Sequence, residues 1–199
     1  MNRVRPAARP LLCRAQGPVV ALVLLALAAS GVLALTDAPT CLHFSPYAAH
    51  PAPDTPLDVE VRVDNASDFY GVEFVARFDP EVLEVVDANV LRPGVQISAP
   101  GAFWGGQTLY EARNEADNAA GTVSYAATMV GAPTGRSGSG TLATIHFQVK
   151  GPGLSRLAFD SVGTNAAHHD QTPIALTLLG GHVGVGTHDV YLPWASRLY

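Results

Sequence analysis

Between residues 57 and 64 apolar and polar side chains alternate without a break. Leu57, Val59, Val61 and Val63 fall on one side, and Asp58, Glu60, Arg62 and Asp64 on the other. A period of two marks a strand with one buried face and one wet face. The alternation returns at 71–78, where Val72, Phe74, Ala76 and Phe78 oppose Glu73, Val75 and Arg77. Shorter runs follow at 41–44, 83–90, 109–113, 122–130, 141–151, 155–163 and 174–186. In the run "TLATIHFQVKG", Phe147 and Val149 point inward with Leu142, and either Ala143 or Ile145 completes that side. Turn-forming clusters separate the runs: "PAPDTP" at 51–56, "RPGVQISAPGAFWGGQ" at 92–107 and "GAPTGRSGSG" at 131–140. Helical periodicity is almost missing after residue 40. Nine short strands at this spacing predict an all-β, nine-stranded jelly-roll sandwich.

One interruption is informative. "GVEFVARFDPEVLEVV" stops a strand on Asp79-Pro80 and restarts at once. Asp bonds its own downstream backbone, and Pro presets the next dihedral. The pattern predicts a single turn that drops Leu83 into the core, so that both flanking runs share one core.

The N-terminus has a different composition. Arg3, Arg5, Arg9 and Arg14 precede an uncharged apolar run, Val19–Leu35, that ends among small residues. This is the layout of a signal peptide, and it is almost long enough to be a membrane anchor. Residues 1–36 are therefore expected to be a signal peptide or anchor, 37–186 one sandwich domain, and 187–199 a C-terminal tail. The domain would lie outside the cell or on its surface, meeting a membrane only through an uncleaved N-terminal segment. All 17 acidic residues follow that segment and four of the 12 basic ones precede it, which leaves the remainder at −9 with one lysine, Lys150. Such a surface excludes nucleic acid as an expected partner.

Taken in order, the alternating strand, "GVEFVARFDPEVLEVV", "AAGTVSYAA", "GTLATIHFQVKG", "LAFDSVGTNAAHHD" and "GGHVGV" resemble a cohesin domain over roughly residues 40 to 186. The resemblance implies a jelly roll that binds a dockerin, in polysaccharide degradation or surface attachment. It implies no cofactor in this chain, with calcium held by the dockerin partner. It places the partner-binding face on the outward side of the third strand, at Glu73, Val75 and Arg77. The strand "TVSYAATM" would add Ser124, Ala126 and Thr128, with Gly131 at the edge. A carbohydrate-binding module of the same architecture is the alternative, in which polysaccharide is bound directly.

Other candidates have plainer readings beside them. Glu73 and Arg77 also fit a simple solvated face. Trp104 and Tyr110 suit sugar stacking or partner contact, but also the cover of a sandwich end. "DNASD" at 64–68 and "NEADN" at 114–118 offer too few oxygens for calcium and read as turns. "HHD" at 168–170 lacks the ligand spacing of a transition-metal site. No metal site is expected. There is no G-x-S-x-G, and no Ser/His/Asp set is evident from spacing, so no catalytic residues and no enzyme are expected.

Overall fold

In the computed structural model, which describes residues 38–186, most of the alternating runs pair into strands, but the run at 83–90 is strand only over Leu83–Val85 and the run at 155–163 ends at Phe159. Eleven lie among the described residues: β1 (Thr40–Ser45), β2 (Ala48–Ala49), β3 (Pro56–Arg77), β4 (Leu83–Val85), β5 (Leu109–Asp117), β6 (Thr122–Met129), β7 (Arg136–Val149), β8 (Gly153–Phe159), β9 (Asn165–His168), β10 (Leu176–Leu179) and β11 (Gly181–Val185). The segments 1–36 and 187–199 lie outside the described residues. Among those described, no helix is long and apolar enough to cross a membrane.

The strands form two layers joined by β3. Its first half pairs with β1 and β7, giving the order β10–β1–β3–β7–β4. Its second half pairs with β6 and β9 and touches β8 at its end. The second layer therefore runs β5–β6–β3–β9/β8–β11–β2. Aromatic side chains close the space between the layers. Phe44 of β1 stacks on Phe159 of β8 with centroids 4.3 Å apart, and Phe78 meets Phe147 of β7 edge-on at 5.3 Å. Val59, Val61, Val63, Val72, Phe74 and Ala76 are all buried, so the inward sets read from the alternation are the core.

The strand count exceeds nine because two short strands, β2 and β9, have no counterpart among the predicted runs, while a fusion and a division elsewhere offset each other. The runs at 57–64 and 71–78 are one bent strand. Register shifts between Val63 and Phe69 carry β3 from one layer into the other. Asn65 and Asp68 take positive φ there (55° and 48°), which their short polar side chains tolerate better than most. Conversely, the run at 174–186 divides at Gly180, placing β10 in one layer and β11 in the other. A Cβ on Gly180 would sit 2.7 Å from the Leu157 carbonyl oxygen, so the crossing needs a bare backbone. The ambiguity in "TLATIHFQVKG" has a similar origin. Val61 pairs with Ala143 and Arg62 with Thr141, which leaves Leu142 as the extra residue of a bulge. Leu142 and Ala143 are both buried.

Asp79-Pro80 is a single turn. The Glu81 N–H donates to Asp79 Oδ1 at 2.9 Å, and the Val82 and Leu83 N–H groups donate to the Asp79 carbonyl at 3.1 and 3.0 Å. Leu83 is fully buried and opens β4.

Candidate functional site

The outward residues of β3 meet those of three other strands on one face. Because cross-strand partners share a face, the register defines its rows. Ala167, Gly71, Thr128 and Tyr110 form one row across β9, β3, β6 and β5. Asn165, Glu73, Ala126 and Arg113 form the next. Val75, Ser124 and Glu115 form a third, and Ala158, Arg77, Thr122 and Asp117 a fourth. Glu73, Val75, Arg77, Ser124, Ala126 and Thr128 are thus brought together. Gly131 stands at the edge, just past the bond from the Val130 N–H to the Thr108 carbonyl, with φ 72°.

The polar groups of this face are paired but wet. Arg77 Nη2 donates to Asp160 Oδ2 at 2.7 Å, and the Val162 and Gly163 N–H groups donate to Asp160 Oδ1. The Arg77 bond first, and then these two backbone donors, hold the Asp160 carboxyl below the usual aspartate range. Glu73 lies between Arg113, at 3.8 Å, and Asn165, whose Nδ2 donates at 3.5 Å. Arg113 Nε also approaches Glu115, at 3.6 Å. Apolar groups interrupt the charges. Val75 and Ala126 are half-buried, while Tyr110 and Val130 stand exposed beside the first row. Val162 is 92% exposed at the rim, on the turn whose Asp160 N–H bonds the Val75 carbonyl.

Tyr110 is on the surface, but Trp104 is not, and the expectation of a surface contact there is corrected. Trp104 is 1% exposed. It closes the 3-10 turn Ala102–Trp104 and packs against Phe69 and Phe103, with centroids 6.0 and 5.6 Å away. The loop folds its aromatic pair back into the open end of the sandwich, where burial outweighs exposure of so much apolar area.

The acid- and amide-rich runs act as pins. Asp68 accepts the N–H groups of Gly135 and His169 (2.6 and 3.2 Å), tying two loops to the bend of β3. Asn118 accepts from the Val85 N–H and donates to the Val85 carbonyl, and Asn114 does the same at Ile97. Among the described residues, no group of three or more His, Cys, Asp or Glu side chains is placed to hold a metal ion.

Arg113, Asn165 and Asp160 were not expected on the face. Asn165 and Asp160 are distant in sequence, and only strand pairing brings them to β3. Arg113 was legible in part, because counting back from the β5–β6 turn assigns the faces of β5. That count runs unbroken to Arg113, and the register shift lies just beyond it, at Ala112.

A family model described as "Cohesin domain" matches residues 47–177. A non-cellulosomal cohesin from the hyperthermophilic archaeon Archaeoglobus fulgidus superposes with a TM-score of 0.56 at 17% identity, over 76% of this chain and 94% of that one. A type II cohesin domain from the cellulosome of Acetivibrio cellulolyticus gives 0.57 at 15% identity, over 73% and 94%. A type I cohesin–dockerin complex from Clostridium thermocellum gives 0.56 at 14% identity, over 74% and 99%. No curated protein matches the sequence.

Proposed function

The chain belongs to the cohesin family, and on that footing we propose that it binds a dockerin-bearing protein through the outward face of β5, β6, β3 and β9. One observation carries the reading. The face sets half-buried Val75 and Ala126 and exposed Tyr110 among Glu73, Arg77 and Arg113. Apolar anchors within a charged surround suit a protein partner: the anchors supply affinity, and the charges set register and encounter rate. A similar cohesin is seen with its dockerin in the Clostridium thermocellum complex. The face needs no bound cofactor, and the calcium belongs to the partner. We place the module outside the cell or on its surface, as an attachment point for a partner that degrades polysaccharide or is itself anchored there. Direct polysaccharide binding loses one of its two candidate aromatics with Trp104 buried, which leaves Tyr110 on this face.

The test is calorimetric titration of the full chain with dockerin modules from the same genome, in calcium and again with a chelator. Tight binding that chelator abolishes, and that Glu73→Ala with Arg77→Ala weakens by about tenfold or more, is the expected result. Unchanged affinity in the double variant would move the site to another face. No binding to any dockerin would overturn the reading.

A further inference from the structure

The outer face of the other layer carries three side chains that a dockerin on β3, β6 and β9 would not touch. Asp58 of β3 and His146 of β7 are cross-strand partners. Ser98 lies on the far side of β7, where its backbone bridges Thr144 through two hydrogen bonds of 3.0 and 2.9 Å. His146 Nδ1 is 2.7 Å from Asp58 Oδ1, and His146 Nε2 is 2.8 Å from Ser98 Oγ. A carboxylate only accepts, so it fixes the imidazole proton on Nδ1 and leaves Nε2 to accept the Ser98 hydroxyl proton. The order of groups is that of a serine hydrolase relay, with each ring nitrogen in its working role. The sequence hides it, because its members are 40 and 48 residues apart and belong to three separate segments.

Two further features adjoin the serine. Ser98 and Ala99 line a cleft of 360 Å³, whose wall also includes Gly101, Glu111, Asn114 and Thr144. The N–H of Ala99, the residue after the serine, makes no hydrogen bond within the described residues. Ser98 sits in an extended bridge and not in a sharp nucleophile turn, so this N–H is an uncommitted donor next to the serine, of the kind that can stabilise an oxyanion.

We propose that Ser98, His146 and Asp58 form a hydrolytic site for short acyl esters of polar alcohols. The cleft is near the small end of the range for ligand sites, which limits the acyl group. Its lining is polar, and the Arg92–Glu111 ion pair at 2.6 Å borders it, which suits a hydroxylated alcohol portion. Ser98 Oγ attacks the ester carbonyl as its proton passes to His146 Nε2. The tetrahedral intermediate collapses, and the departing alkoxide takes that proton and leaves as the alcohol. Water then attacks the Ser98 acyl ester with His146 as base, releasing the carboxylic acid and restoring the serine. Asp58 is a positioning residue that holds the tautomer and balances the imidazolium. At 66% exposure its charge is well screened, so the site is expected to be slow, roughly a hundredfold above buffer.

The experiment uses the full chain and two probes, 4-nitrophenyl acetate and a fluorophosphonate. The expected result is one fluorophosphonate adduct at Ser98 by peptide mapping. Ester hydrolysis should fall to the buffer rate in Ser98→Ala and His146→Ala. In Asp58→Asn it should fall about tenfold, while the His146 ¹⁵N resonances shift from the Nδ1–H tautomer to a mixture. Labelling of the unaltered chain does not depend on how the variants fold. An adduct elsewhere, no adduct, or an unchanged rate in Ser98→Ala would each overturn the proposal and leave the three groups as a cross-strand brace. The proposal stands independently of dockerin binding.

Discussion

Arg77 and Asp160 show what single residues on the outer face contribute. Their bond is short but exposed, so its main consequence is for protonation rather than for the fold. The folded carboxyl is held below its ordinary value. Its share of stability is therefore fully present above roughly pH 4 and is lost as pH falls through the folded midpoint. In Arg77→Ala, the Asp160 carboxyl should titrate closer to the ordinary value, and the loss of stability on acidification below roughly pH 4 should be shallower. Side-chain carbon shifts followed by NMR read this directly. The Val162 and Gly163 N–H donors remain, so part of the depression should persist. A midpoint that does not move would assign the effect to the backbone donors alone.

At the scale of elements, the turns decide where each strand faces. Gly121 closes the turn between β5 and β6 at φ 65°, and a Cβ there would lie 2.3 Å from the Phe78 carbonyl oxygen. That oxygen belongs to the residue just before the Asp79 turn, so the two turns lock together. Gly106 also has positive φ, 77°, but nothing lies within 4 Å of its Cβ position. Gly106→Ala should cost about 1 kcal/mol from backbone strain alone, and Gly121→Ala clearly more, because strain and a backbone clash add. Urea unfolding of both variants makes the comparison. Equal losses would mean that the Phe78 backbone yields freely. Alternation made the inward sides of β3 and β6 legible, because period two survives wherever pairing is regular. It failed at Leu142, at Ala112 and at the bend of β3, where extra residues turn the pattern over.

For the whole molecule, β3 is the decisive element, since it belongs to both layers. Neither layer can separate without breaking it, so the described residues should unfold as one unit. Trp104 seals the end of that shared core against Phe69 and Phe103. Trp104→Ala should lose roughly 3–5 kcal/mol, a large part of a typical domain's stability. Tyr110→Ala should stay within about 0.5 kcal/mol. Denaturant melts of the two variants would show the contrast, and a small loss for Trp104→Ala would mean that the end of the sandwich can collapse to fill the gap.

The amino-acid sequence alone specifies the all-β class, the inward side of each regular strand and the Asp79-Pro80 turn. These follow from local rules: the pleat has a period of two, and Asp and Pro act on their own neighbours. It also placed Glu73, Val75 and Arg77 on one side, since residues two apart on a strand cannot do otherwise. Which residues from other strands join them is set by the fold. Asn165 and Asp160 reach β3 by long-range pairing, and Trp104 leaves the surface because the open end of the core is there to receive it. The same holds for Ser98, His146 and Asp58, which no spacing connects. Hydrogen-bond register across separate strands has no local signature, because each strand carries its own alternation but not the identity of its neighbour.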